Sequence, residues 1–299
     1  MGTTVRVVLH SRNQREARAA ADAAFARVAE LDRTLSDYRA DSELSRVTRA
    51  PIGQPIPVGR DLLTVVQEAQ DLAVRSDGAY DITVGPLSRL WRRARRQVEL
   101  PSAEELSAAR EVTGYRLLSV DARARSVTVA KPGMALDPGG VAKGYAADAA
   151  LETLRRSGHG SALVAVGGDI AAGGAPPGTQ GWEVAITGFD PDDVAPSSPL
   201  TIAGAGVSTS GDAEQWVEIE GRRYSHIVNP LTGIGITGRR TVTVVALDAM
   251  TSDMLATALS VMEVEAGLAL ADSTPGAAAQ IGIAGDSGVS WRRSRAWTY

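Results

Sequence analysis

Apolar positions along the chain follow two rhythms. TVRVVLH, residues 4 to 10, is a β-branched run that predicts a strand, and Asn13 with Glu16 three places on marks the start of a helix. Ala17, Ala21, Ala24, Val28, Leu31 and Leu35 then recur at three-to-four spacing, which predicts one buried face on a long helix. Leu62, Val65, Val66, Ala69, Leu72 and Ala73 predict a second helix from about Asp61 to Arg75, and Ser102 with Glu105 makes a capping box that starts a third. Short β-branched or alternating runs follow. RLLSV, SVTVA, ALVAV, WEVAIT, WVEIE, YSHIV and TVTVVAL read as strands, with further helices after Gly140, after Thr251 and near Val264. This mixture predicts an α+β or mixed α/β fold without internal repeats.

Composition narrows the function by exclusion. A chain of 299 residues that is 44% hydrophobic can bury a substantial core. With a net charge of −4 it has no global basic field to hold nucleic acid. The absence of cysteine removes disulfides, thiolate metal sites and a thiol nucleophile together. No run approaches the ~20 apolar residues of a membrane helix, so no integral membrane segment is expected. The N-terminus has no secretory pattern either. The expectation is a cytoplasmic protein as the chain stands, or a periplasmic or cell-envelope one if a leader has been removed.

Several stretches carry candidate chemistry. In ALDPGGVAKGYAADAA, residues 135 to 150, Gly139, Gly140 and Gly144 surround Lys143 at a predicted helix start, where backbone amides and an ammonium can close on an anion. Gly144 and Tyr145 follow the lysine where a P-loop, GxxxxGK, has a Ser or Thr, so a nucleoside triphosphate loop is not indicated; a plain glycine-rich turn with a solvated lysine is the alternative. GIGITG, residues 233 to 238, matches GxGxxG but leads into a strand, so the dinucleotide fingerprint fails on context. RLWRRARRQ groups Arg89, Arg92, Arg93, Arg95 and Arg96, read as a solvated basic helix face. In TSDMLATALSVM, Asp253 and Thr257 stand at i and i+4 on one helical face and offer hard oxygen donors suited to magnesium, with a helix-capping role for Asp253 as the alternative. His159, in GHG after a helix, is expected to serve the last helical carbonyls, and His10 ends the first strand. His226, in YSHIVNPLTG, sits in a strand about to turn at Asn229 and Pro230, as either a site residue or a structural one.

Taken in order, the motifs SDYRADSELSR, DGAYDITVGPLSRLW, DPGGVAKGYAAD, VGGD, STSGD, YSHIVNPLTG and SDMLATAL, after an initial MGT, resemble the ApbE-type FAD:protein FMN transferases. The resemblance implies an ApbE-like, T-fold-related architecture of mixed sheets packed by helices, a single domain over residues 1–299, and an FAD cleft between its α/β sub-lobes. It implies magnesium-dependent cleavage of the FAD pyrophosphate, transfer of FMN to a Ser or Thr of an acceptor protein through a phosphoester, and release of AMP. By the same resemblance Asp253, Thr257 and the Ala142 carbonyl hold magnesium, and His226 helps deprotonate the acceptor hydroxyl. Gly140 and Lys143 belong to the FAD site, and Asp148 to its adenosine end. Met1, Tyr38, Ser42, Asp81, Thr83, Gly167, Gly168, Asp169, Thr209 and Gly211 match other positions lining the flavin cleft.

The chain departs from the family pattern in four places. RRARRQ stands where a Gly-aromatic stretch is common after LW, Pro138 replaces an apolar residue, Ala213 stands where an aromatic is common, and Asn229 replaces an Asp. An FAD pyrophosphatase and a non-catalytic flavin-binding protein are the rival expectations.

Overall fold

The computed structural model describes residues 2–189, 195, 199–211, 215–285 and 288–299. Strand β1 (Val5–Leu9) leads into helix α1 (Gln14–Leu35), where the Asn13 side chain accepts from the amides of Arg15 and Glu16 as the cap. The buried stripe of α1 is Ala20, Ala24, Val28, Leu31 and Leu35; Ala17 and Ala21, expected in it, lie at its margin. Then come α2 (Glu43–Thr48), β2 (Ile56–Pro57), α3 (Arg60–Arg75), α4 (Gly85–Gln97) and α5 (Ala103–Glu111). The stripe expected on α3 is buried in full, and α5 carries the Ser102–Glu105 capping box. β3 (Leu118–Asp121) and β4 (Ser126–Val129) precede α6 (Ala142–Arg156), β5 (Ala162–Val166), β6 (Asp169–Ala172), β7 (Trp182–Val184), β8 (Leu200–Ile202) and β9 (Ala205–Gly211). β10 (Trp216–Ile219), β11 (Arg222–Val228), β12 (Gly235–Thr237), β13 (Arg239–Ala246), α7 (Ala249–Val261), α8 (Val264–Asp272), β14 (Ala278–Gly285) and β15 (Gly288–Arg293) complete the order.

A seven-stranded sheet in the order β1-β5-β6-β9-β13-β14-β15 forms the frame, every ladder antiparallel. Alternation along its strands sorts side chains to two faces. Val242, Val244, Ala279 and Ile281 face the main core with α1, α3, α6, α7 and α8, whereas Val207, Val245 and Ala278 face a smaller core with Trp182, Leu200, Ile202 and Trp297. A third cluster joins α4 and α5 to the β10-β11-β12 sheet through Leu87, Trp91, Ala94, Val217, Tyr224 and Val228. No helix among the described residues is long and apolar enough to cross a membrane.

Candidate active site

Helices α6 and α7 cap each other. The α6 start has no side-chain cap of its own; the Pro138 carbonyl accepts from the amides of Val141 and Ala142 at 3.1 and 2.9 Å, and Asp253 Oδ2 on α7 accepts from Gly144 N at 3.1 Å. In return, both Asp148 oxygens on α6 accept from the first amides of α7, Ala249 at 2.9 Å and Met250 at 2.8 Å, while Asp248 takes Thr251 N at 2.7 Å. Carboxylates at helix N-termini satisfy orphan amides and the positive end of the dipole. Burial nevertheless pushes Asp148 up, to about 7, against the pull of its two amides.

Two glycines of GGVAKG, Gly140 and Gly144, serve this crossing. A Cβ on Gly144 would lie 2.2 Å from the Ala249 carbonyl oxygen, and one on Gly140 would lie 2.7 Å from Thr257 Oγ1. The expectation that Gly144 opens its amide to an anion is therefore corrected: that amide is held by Asp253 and the missing side chain is filled by α7. Gly144→Ala should cost roughly 1–3 kcal/mol of stability, the usual penalty for overpacking. The urea midpoint measures this, with Gly160→Ala, where a Cβ meets nothing within 4 Å, as the control.

Four charged or polar groups meet at the crossing. VGGD forms a two-residue hairpin, with Gly167 at φ +61°, that starts β6 at Asp169 on the helical face of the sheet. There Asp169 pairs with the Lys143 ammonium, which also lies 3.7 Å from Asp253 Oδ1. Both carboxylates are 2–3% exposed, so one lysine faces two buried acids. Burial, then repulsion from Asp169, raises the Asp253 pKa, and Lys143 opposes the rise. Burial pulls Lys143 down, but the two carboxylates more than offset it and hold it above the ordinary lysine range. Its charge is committed to protein carboxylates, a departure from both a solvated lysine and a ligand-only contact. Thr257, half-buried one turn beyond Asp253, has a hydroxyl without a hydrogen-bond partner among the described residues. Among those residues no three His, Asp or Glu side chains gather as a metal site. The donors at hand are one carboxylate, one hydroxyl and the Ala142 carbonyl, a hard-oxygen set that leaves room for water and phosphate. Tyr80, absent from the sequence expectations, donates its hydroxyl to the Gly140 carbonyl at 3.4 Å; burial first, and then Asp253, push its pKa well up.

The facing wall comes from β11 and α4. His226 Nδ1 is 3.1 Å from the Gln215 carbonyl oxygen, which also accepts from His226 N at 3.0 Å. A carbonyl only accepts, so Nδ1 carries the proton and Nε2 keeps its lone pair. His226, on β11, is exposed to solvent. Desolvation, with Arg95 and Lys143 acting in the same direction, lowers its pKa from 6.5 to about 4. With its pKa lowered, the ring is neutral at pH 7. Arg95 donates to Gln215 Oε1 at 3.1 Å.

The arginine run is only in part the solvated face expected from its composition: Arg89 and Arg96 are exposed, but Arg92, Arg93 and Arg95 are engaged by other segments. Arg92 bridges Asp37 at 2.5 Å and Asp137 at 3.0 Å and stacks under Tyr38, and Arg93 pairs with Glu105 at 2.6 Å. Carboxylates from three separate segments converge on α4, which local composition does not reveal.

Other expected residues lie at varied distances from this centre. Ser42 caps α2, accepting from Ser45 N at 3.0 Å and donating to the Ser36 carbonyl at 2.6 Å. Asp81 accepts from the Thr83 hydroxyl at 2.7 Å, and Thr83 accepts from Gly114 N at 2.8 Å. Burial raises the Asp81 pKa, and Asp81 also borders a cavity of about 680 Å³ lined by Gly78, Arg110, Tyr115 and Leu231. That cavity contains none of the Lys143, Asp253 or His226 group. Gly168 lies in the β5–β6 turn, and Gly211 ends β9 close to the Arg240 carbonyl. Thr209 leaves through the opposite sheet face, 3.0 Å from the Thr243 hydroxyl. Asn229 Oδ1 accepts from Leu231 N at 2.9 Å, so Asn closes the turn as an Asp would. His159 places its ring between the Ser157 and Ser11 hydroxyls, at 3.4 and 3.2 Å, instead of on the helical carbonyls. His10 packs on Trp182. Met1 and Ala213 lie outside the described residues.

The family model described as the ApbE family matches residues 1–281. An FAD:protein FMN transferase of Vibrio cholerae is 37% identical over 248 residues, covering 82% of this chain and 73% of the relative. One from Escherichia coli K12 is 33% identical over 265 residues, covering 87% and 76%. Among solved structures, the apo flavinyl transferase ApbE of Pseudomonas stutzeri aligns with a TM-score of 0.85 at 34% identity, over 99% of this chain and 92% of that one. The Thermotoga maritima ApbE protein aligns with a TM-score of 0.86 at 31% identity, over 98% and 94%.

Proposed function

Because the chain belongs to the ApbE family, we propose that it is an FAD:protein FMN transferase that depends on magnesium and places FMN on a Ser or Thr hydroxyl of an acceptor protein, releasing AMP. In this reading residues 1–299 work as one domain, with FAD in the cleft between the helix-backed sheet and the α4–β11 lobe. The observation that carries the proposal is the buried pair Asp253 and Asp169 against the single Lys143, with the uncommitted Thr257 hydroxyl one turn away. Two carboxylates against one ammonium favour a further cation, and the donors match a hard one.

Magnesium held by Asp253, Thr257 and the Ala142 carbonyl would neutralise phosphate charge. The chain supplies the rest. Nε2 of His226, its tautomer set by the Gln215 carbonyl, takes the acceptor hydroxyl proton. The hydroxyl oxygen forms a bond to the FMN phosphorus as the bond to the bridging oxygen breaks, and AMP leaves with that electron pair. Lys143 keeps a fixed positive charge beside the phosphates, and Tyr38 offers an exposed ring to the flavin side of the cleft.

The test is an incubation of FAD, magnesium and a protein bearing a candidate Ser/Thr segment. The expected outcome is an acceptor heavier by one FMN after denaturation, with one AMP released per FMN attached. Rapid AMP and free FMN beside an unmodified acceptor would reassign the protein as an FAD pyrophosphatase.

A further inference from the structure

Helix α4 enters the cleft with arginines that a local reading assigns to solvent, and one of them joins three segments. Arg92 Nη1 binds Asp37 Oδ2 at 2.5 Å and Nη2 binds Asp137 Oδ2 at 3.0 Å, while the guanidinium carbon lies 4.6 Å from the centre of the Tyr38 ring. The side chains are 23% exposed for Arg92, 13% for Asp37 and 10% for Asp137, so these contacts are far less screened than a surface ion pair. Asp137 continues the connection. Its Oδ1 accepts from Gly139 N at 2.9 Å, and its own amide is fixed to the Ile82 carbonyl at 2.8 Å. Gly139 and Gly140 form the turn that abuts Thr257 and starts α6 at Ala142. On the other side Tyr38 is 79% exposed, with one ring face backed by Arg92 and the other open. A planar cation beneath a tyrosine fixes the ring at low entropic cost.

We propose that Arg92 is a positioning residue for both halves of the cleft, backing the Tyr38 ring and, through Asp137, holding the Gly139–Gly140 turn against Thr257. The inference rests on reading this cleft as the FAD and magnesium site. It gives the RRARRQ segment, where the chain departs from the family's Gly-aromatic pattern, a mechanical role. A lysine cannot replace it: one ammonium does not span two carboxylates while lying flat under a ring.

The test uses the full chain with Arg92→Met, Arg92→Lys, Asp137→Asn and Tyr38→Ala. FAD affinity is read from quenching of flavin fluorescence without acceptor, metal affinity from direct Mn2+ titration, and the state of the turn from hydrogen exchange in a peptide covering residues 137 to 142. Both Arg92 variants are expected to weaken FAD and Mn2+ binding by about tenfold each, ~1.4 kcal/mol apiece. Exchange in the turn should speed up while the central strands stay protected, and KM for FAD should rise more than kcat falls. Asp137→Asn should reproduce only the metal and exchange effects, and Tyr38→Ala only the flavin effect. Wild-type affinities and exchange in both Arg92 variants overturn the proposal, as does a lower melting temperature with unchanged binding by the folded protein. If Arg92→Met does not fold, Arg92→Lys and Asp137→Asn decide by the same criteria. Failure of the wild-type protein to bind FAD would defeat the reading of the cleft, and the exchange data would still decide whether Arg92 holds the turn.

Discussion

Asp253→Ala is expected to lower magnesium-dependent transfer by about 1,000-fold or more, ~4 kcal/mol of barrier. Asp253 is the one charged donor in the proposed magnesium set, and a site of few protein ligands does not survive its loss. The fold should persist. Removing this carboxylate relieves its repulsion with Asp169, and Lys143 retains its Asp169 partner. The cost is the cap on α6, because Gly144 N loses the acceptor now 3.1 Å away, a loss of about 1 kcal/mol. Asp253→Asn separates the two roles, since an amide oxygen can still accept from Gly144 but carries no charge. Transfer should fall nearly as far in Asn as in Ala while melting returns toward wild type. Turnover within about tenfold of wild type in either variant, only ~1.4 kcal/mol, would remove Asp253 from the metal site.

What the chain's own pattern revealed was what neighbours along the sequence decide. The Leu62 to Ala73 stripe, the Asn13 cap and the Ser102–Glu105 box are local signals, and each appears in the structure as expected. Asp253 and Thr257 share a helical face for the same reason. β14 carries no strand signal because AAQIGIAG is small and poor in β-branched residues, yet it runs beside β13 and β15 with Gly282 against the Trp291 ring. α2 and α4 were not delimited; α4 has no side-chain cap at Val84, and its arginines obscured the face that Leu87, Trp91 and Ala94 bury. The site divides along the same line. Its residues were legible as motifs, but Lys143 with Asp169, Asp253 with Gly144 and Arg92 with Asp37 and Asp137 are contacts between distant segments. No spacing rule brings such pairs together, which is why GGVAKG reads as room for an anion although α7 fills the space beside Gly140 and Gly144.

His226→Ala is expected to lower transfer by ~100-fold to 10,000-fold while FAD affinity, measured without acceptor, stays close to wild type. The ring's own partner is the Gln215 carbonyl, so its removal should spare the Lys143, Asp169 and Asp253 group. The pH dependence gives an independent check. A base works in its neutral form, and desolvation lowers this imidazole from 6.5 to about 4, with the positive charges of Arg95 and Lys143 assisting. The acid limb that His226 contributes to kcat/KM should therefore lie below pH 6.5 and move toward 4, leaving its contribution flat from about pH 6.5 to 8. The same shift acts on stability. Between about 4 and 6.5 the unfolded chain binds this proton more readily than the folded one, so the His226 contribution is fully present above 6.5 and is lost as pH falls through that window. Two results would count against the assignment: FAD affinity collapsing in parallel with rate, which makes the histidine a binding or structural residue, and an acid limb at or above 6.5 that vanishes in the alanine variant, which contradicts a lowered imidazole pKa.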